Sequence, residues 1–215
     1  NYSIQYKPNN YKIAIFRSKI TRNNNTVSWG ALYFKNMFDS YLFDNIYYFV
    51  NEDDLAKGNI NSSTQLLIIP SFTLDGDDNK HYIDSVFEIC PDIKKRLDNY
   101  LQTGGSIYSE GNAVYFIEKL GYLPNGAVDF DNSVLPDPVT NLIEINYENS
   151  TNPLSFMQST VGGFLFANAC PAVNAVNAEI VAKCADNDVP SVFVLSGINA
   201  GGGKIICNTG IPTIG

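Results

Sequence analysis

The stretch Gly104-Gly105-Ser106-Ile107-Tyr108-Ser109-Glu110-Gly111-Asn112-Ala113 has the layout that could hold a reacting group in place. A helix ends at the double glycine, a short strand runs into a tight turn, and a new helix starts among small residues. Such a strand–turn–helix presents one side chain at the carboxyl edge of a sheet, facing a helix N-terminus. The dipole and the free N–H groups at that terminus favour a thiolate or an oxyanion.

Other chemistry-bearing residues are weaker. Asp75, Asp77, Asp78 and Asn79 surround Gly76, and alternating oxygen ligands suit calcium. The bidentate acid of a calcium loop is missing, because Val86 stands where it belongs. A solvated acidic turn is expected, with Asp75, Asp77 and Asn79 as weak metal candidates and no metal site foreseen. Asp129 and Asp131 form a similar, weaker pair. His81, the sole histidine, suits general-base work near neutrality, but no Ser or Cys with elbow geometry accompanies it in sequence. It is expected to open a helix at the surface. Gly201-Gly202-Gly203-Lys204 has the look of a phosphate loop. Ile198 stands where the pattern needs Gly and Ile205 where it needs Ser or Thr, so a turn between strands is expected. Cys90, Cys170, Cys184 and Cys207 show no CxxC and no metal spacing with His81. Each lies in an apolar stretch, where a free thiol behaves as a small hydrophobe, while their even number leaves disulfides open. No cofactor is expected.

The 215 residues suffice for one α/β domain. A net charge of −8 without a long basic run argues against a nucleic-acid partner. No apolar run approaches the ~20 residues of a membrane-spanning helix. Residues 1–10 read as a linker or arm and 11–215 as a single domain. The chain begins at Asn1, as an excised or processed piece would.

Stepping along the chain, short apolar runs at Lys12–Arg17, Asn45–Val50, Gln65–Pro70 and Ser106–Ser109 predict buried strands. Between them Ala31–Phe43, Glu52–Lys57, His81–Gln102 and Asn112–Leu120 read as helices. Pro91 should kink or restart the third of these, and Ser71–Lys80 reads as a loop. Alternating strands and helices predict an α/β fold, with a central, mostly parallel sheet covered by helices on both faces. Beyond Pro124 the chain turns β-rich, with strands at Leu142–Tyr147, Gly163–Ala167, Glu179–Ala185, Ser191–Leu195 and Lys204–Asn208. Hairpins there predict antiparallel additions to the sheet.

With these elements in order, the chain resembles the class I glutamine amidotransferase-like superfamily, of flavodoxin-like α/β fold. Residues Gly104 to Gly111 resemble its nucleophile elbow, closest in flavour to cobyrinic acid synthase-type domains and the biotin–protein ligase N-terminal-like family. Leu66–Pro70 followed by Ser71-Phe72 is similar to the strand and glycine-rich oxyanion loop. Gly203 to Thr213 is similar to the family's terminal strand and its histidine-bearing motif. In that register Gly111 takes the nucleophile's place, Ile211 the base's and Thr213 the acid's, while Phe72 displaces a loop glycine.

Acyl transfer needs nucleophile, base and oxyanion donors together. The resemblance therefore implies a catalytically inactive, amidotransferase-like domain. The expected role is structural or protein-interacting, through partners or self-association, within a larger surface or extracellular protein. Abundant Tyr and Phe would suit assembly surfaces, unless they form the core. One alternative is a small-molecule module whose cleft is lined by Ser71, Phe72, Ser109, Glu110, Asn112 and Asn208. A divergent hydrolase recruiting Ser109 or Glu110 is the second.

Overall fold

The structure, a computed structural model, describes residues 12–22, 25–26, 29–40, 46–60, 62–72, 77–134, 143–147, 165–166, 170–184, 188–196 and 202–210. Strand β1 (Lys12–Phe16) leads through a two-residue ladder, β2 (Thr21–Arg22) with β3 (Asn25–Thr26), to helix α1 (Trp29–Ser40). Then follow β4 (Tyr47–Val50), α2 (Glu52–Lys57), β5 (Thr64–Ile69), α3 (Asp77–Ile89) and α4 (Ile93–Gln102). Strand β6 (Ser106–Glu110) passes through a 3-10 turn (Gly111–Ala113) into α5 (Val114–Lys119). The remainder comprises β7 (Val128–Val134), β8 (Ile143–Tyr147), β9 (Leu165–Phe166), β10 (Cys170–Val173), β11 (Glu179–Cys184), β12 (Pro190–Leu195) and β13 (Ile205–Asn208).

Nine strands form one sheet in the order β4-β1-β5-β6-β13-β12-β11-β8-β9. Neighbours from β4 to β13 run parallel, and β12, β11, β8 and β9 continue antiparallel. The last strand in sequence therefore lies at the centre, between β6 and β12. Strand alternation sorts the side chains onto two faces. Ala14, Phe16, Leu67, Ile69, Ile107, Ile205 and Cys207 face α2 to α5, whose Leu55, Ile83, Val86, Leu97 and Phe116 complete that core. Ile15, Ile68 and Tyr108 face α1, through Ala31 and Phe34.

Local chemistry explains several boundaries. Asn51 caps α2 by accepting the N–H groups of Asp53 (3.0 Å) and Asp54 (3.3 Å), and Asp54 answers with a carboxylate to Asn51 N–H (3.1 Å). Pro91, which lacks an N–H, separates α3 from α4 as two helices. The buried Glu118 accepts the N–H groups of Gly126 (2.9 Å) and Val128 (2.7 Å), tying α5 to β7.

Two expectations need correction, and one strand was missed. The loop expected from Ser71 to Lys80 is shorter, because α3 already starts at Asp77, where polar Asp and Asn suit a first turn. Asp129 and Asp131 lie on a strand, β7, rather than in an acidic turn alone; Asp129 still accepts the N–H groups of Asp131 and Asn132. Strand β10 was not foreseen, since Pro171 argues against a strand. It pairs with β7 in a separate two-stranded ladder, and the register breaks between Cys170 and Ala172, where proline is tolerated. Among the described residues, no helix is long and apolar enough to cross a membrane.

Candidate functional site

Strand β6 sits at the middle of the parallel block, flanked by β5 and β13, with Ser109 opposite Ile69 and Cys207 and Glu110 opposite Asn208. Glu110 is still extended (φ −129°, ψ 141°), whereas Gly111 turns to φ +59° and starts the 3-10 turn that feeds α5. The chain thus reverses from strand to helix within one residue, at the carboxyl edge. Glycine adopts this backbone without strain, while a side chain there would cost about 1 kcal/mol or more.

The loop after β5 reaches this turn. Asn112 accepts the Phe72 N–H (2.7 Å) and the Ser71 hydroxyl (3.1 Å) on its Oδ1, and its Nδ2 donates to the Phe72 carbonyl (2.6 Å). One side-chain amide therefore closes both polar groups of the Phe72 backbone. The Phe72 ring is buried and packs edge-on against Phe16, with centroids 6.1 Å apart. Helix α1 backs the loop through Gly30, where a Cβ would lie 2.7 Å from the Ser71 carbonyl oxygen and 2.9 Å from Pro70 Cβ. Only glycine permits that approach.

Glu110 belongs to a second group, on the α1 face. Asn208 Nδ2 donates to the Tyr108 hydroxyl (3.3 Å), which donates to Glu110 Oε1 over a long 3.4 Å. Asn208 Oδ1 accepts the Gly210 N–H (3.2 Å). Glu110 is only 3% exposed. Burial pushes its carboxyl up from 4.5 to about 7, and the weak Tyr108 contact offsets little of this. Burial likewise holds the Tyr108 phenol far above its usual range.

Ser109 points to the opposite face. Its hydroxyl is fully buried without a hydrogen-bond partner, as are those of Ser191 and Thr209. Ser191 and Thr209 lie side by side, with the Thr209 N–H donating to the Ser191 carbonyl (2.8 Å). Beside Ser109, the buried Cys207 thiol is pushed well up by burial alone, so it is no thiolate. Cys90 and Cys207 are free thiols, and Cys90 is also raised by burial.

The expected cleft residues thus divide into three groups. Ser71, Phe72 and Asn112 bond to one another, Glu110 and Asn208 meet through Tyr108, and Ser109 lies on the sheet face opposite Tyr108 and Glu110. Tyr108, Gly30, Ser191 and Thr209 were missed. Tyr108 was legible, since it stands two residues before Glu110 on the same strand face. His81 is exposed on α3, its ring beside Tyr82 (6.0 Å). Asp77 and Asn79 fall in the first turn of α3, whereas Asp75, Ile211 and Thr213 lie outside the described residues. Among the described residues no cluster of three or more His, Cys, Asp or Glu is arranged to hold a metal ion.

The fold has solved counterparts. A protein from Bacteroides uniformis described as ThuA-like matches with a TM-score of 0.60 at 10% identity, over 99% of this chain and 86% of that one. PurLQS from Thermotoga maritima matches with a TM-score of 0.52 at 12% identity, over 94% of this chain and 86% of that one. The chain shares the mixed α/β fold of these two proteins. A β-galactosidase from Bacillus circulans also matches, with a TM-score of 0.58 at 14% identity, over 95% of this chain but only 29% of that enzyme. At these identities the likeness is one of fold alone. No protein family and no curated protein matches the chain in sequence.

Proposed function

We propose that this amidotransferase-like domain performs no amidotransferase chemistry and serves as a structural or protein-interaction unit. The observation that carries the proposal is the Asn112 bridge beside Gly111. The bend offers no nucleophilic side chain, and the Phe72 N–H that could stabilise an oxyanion is already satisfied by Asn112. A preorganised donor helps a transition state only if it is free to meet the developing charge. Ser109, the nearest hydroxyl in sequence, is buried on the other face with no base bonded to it.

The interaction half draws support from the β-galactosidase, where a comparable fold is one section of a much longer chain. It does not rest on the aromatic residues. Among the described residues the exposed large hydrophobic side chains are Leu32, Ile89 and Val176, while Phe16, Phe72, Phe116 and Phe193 are core. The test is ammonia release from glutamine by the purified chain, measured against the Glu110→Gln and Ser109→Ala variants. No enzyme-dependent release is expected. Turnover that either substitution abolishes would overturn the proposal and restore a hydrolase.

A further inference from the structure

The opposite edge of the same two strands carries an open polar groove. It lies where β5 and β6 begin, between the α2–β5 connection and the last turns of α4, and encloses about 540 Å³. Small-molecule sites span roughly 300–1,000 Å³. Arg96 is the one charged side chain among its lining residues, and no carboxylate lines it. On a chain of net charge −8, a groove with that balance is set apart from the average surface.

Arg96 is held in a defined pose. Its Nε donates to the Ala56 carbonyl (3.1 Å), and its side chain lies along Gly58, where a Cβ would come within 3.4 Å of Cδ and 3.6 Å of Nη1. With Nε so engaged, the two terminal nitrogens are left for an anion, the bidentate use to which guanidinium is suited. The remaining polar lining is neutral. Gln65 and Asn99 are exposed amides, each offering donors and an acceptor, and Ser62 adds a hydroxyl. Beneath them the Tyr100 ring is buried, its hydroxyl donating to the Ser106 carbonyl (3.3 Å), so it forms a fixed floor. Groups that both donate and accept match vicinal hydroxyls; a single guanidinium matches one anionic group.

We propose that this groove binds a small polyhydroxylated anion, a sugar acid or a sugar phosphate, with the anionic group on Arg96 and the hydroxyls on Gln65 and Asn99. The site is independent of the elbow and of the inactivity proposed there. The test titrates the full chain with glucuronate, glucose 6-phosphate, glucose, acetate and inorganic phosphate, followed by amide NMR shifts and calorimetry. At least one sugar anion should bind saturably, shifting the Gly58, Gly104 and Gly105 amides while leaving Gly111 still. The tighter of the two sugar anions identifies the anionic group. Glucose and the simple anion should each bind about tenfold more weakly or worse, and Arg96→Gln should weaken the sugar anion about tenfold or more, as loss of a charged hydrogen bond does. Because Arg96 also ties α4 to α2, Asn99→Ala and Gln65→Ala at exposed positions provide a second arm that leaves folding intact. The proposal fails if neither sugar anion saturates. It fails equally if Arg96→Gln and both amide variants leave binding unchanged, or if acetate or phosphate binds as well as its sugar counterpart.

Discussion

Glu110 makes the stability of this domain depend on pH in an unusual direction. Its carboxyl titrates at about 7 in the folded chain, against an ordinary value of 4.5, because burial disfavours the charged form. The folded state therefore binds this proton more tightly than the unfolded state does. The benefit is fully present below pH 4.5 and is lost as pH rises to 7, after which the curve is flat. At about 1.4 kcal/mol per decade of proton affinity, the whole effect is about 3 kcal/mol. Asp39, Asp53 and Asp129 are shifted the other way by hydrogen bonds to Lys35, Lys19 and Asn132. Their contributions vanish only as pH falls below the ordinary aspartate value, so of these four groups Glu110 alone acts across the window from 4.5 to 7. Urea unfolding at half-unit pH steps measures this directly, provided the denaturant slope stays constant. The wild-type chain should lose stability across the window, whereas Glu110→Gln, uncharged and nearly isosteric, should be level there and the more stable protein at pH 8. A wild-type stability that rises from pH 5 to 7, or an unchanged slope in Glu110→Gln, would refute the assignment of a buried, poorly paired carboxyl.

Two further substitutions probe the same edge. Asn112→Ala removes the bridge to Phe72 and strands a backbone N–H and carbonyl, so unfolding free energy should fall by about 2 kcal/mol. A change below about 0.5 kcal/mol would mean that the bridge does not close the loop. Thr209→Val replaces a buried, unpartnered hydroxyl with a methyl of the same shape and should stabilise the chain by about 1 kcal/mol in thermal or urea unfolding. A clear loss of stability would show that the hydroxyl has a hydrogen-bond partner in solution.

Much of the scaffold was legible because its signals are local. Glu52–Lys57 is bounded by Asn51 and Gly58, Pro91 divides two helices, and the strands from Lys12, Gln65 and Ser106 are short apolar runs in a parallel sheet. The elements that escaped lack such signals. Strand β7 carries Asp129, Asp131 and Asn132, and β10 contains Pro171, so each is a strand only because the other pairs with it. The candidate site divides the same way. The bend at Gly111 follows from the strand–turn–helix pattern. The Asn112 bridge joins residues 40 apart in sequence, and no periodicity encodes such a contact. The separation of Ser109 from Glu110 follows from strand alternation, which puts neighbouring side chains on opposite faces. What alternation does not give is that Ser109 has no partner there, because that depends on β12 and β13 arriving from the far end of the chain.

The energetics around the bend at Gly111 do not describe a structural optimum. A working nucleophile elbow stores strain in a side-chain-bearing residue at unfavourable φ and keeps donors unpaired for the transition state. Here both burdens are absent, since Gly111 takes the turn without strain and Asn112 consumes the loop's polar groups. Burdens of another kind remain at the same end of the sheet: a carboxyl buried with one long hydrogen bond, and three hydroxyls buried with none. Gln at position 110 or Val at position 209 would relieve them with little change of shape. Stability alone therefore does not account for the side chains at this edge. The destabilising groups gather at the carboxyl ends of β6 and β13, where open parallel sheets place their ligands, and local rules are broken most often at functional sites. The edge combines a glycine at the bend with poorly partnered polar groups around it, so rescue of stability by Glu110→Gln and Thr209→Val is the measurement that exposes the trade.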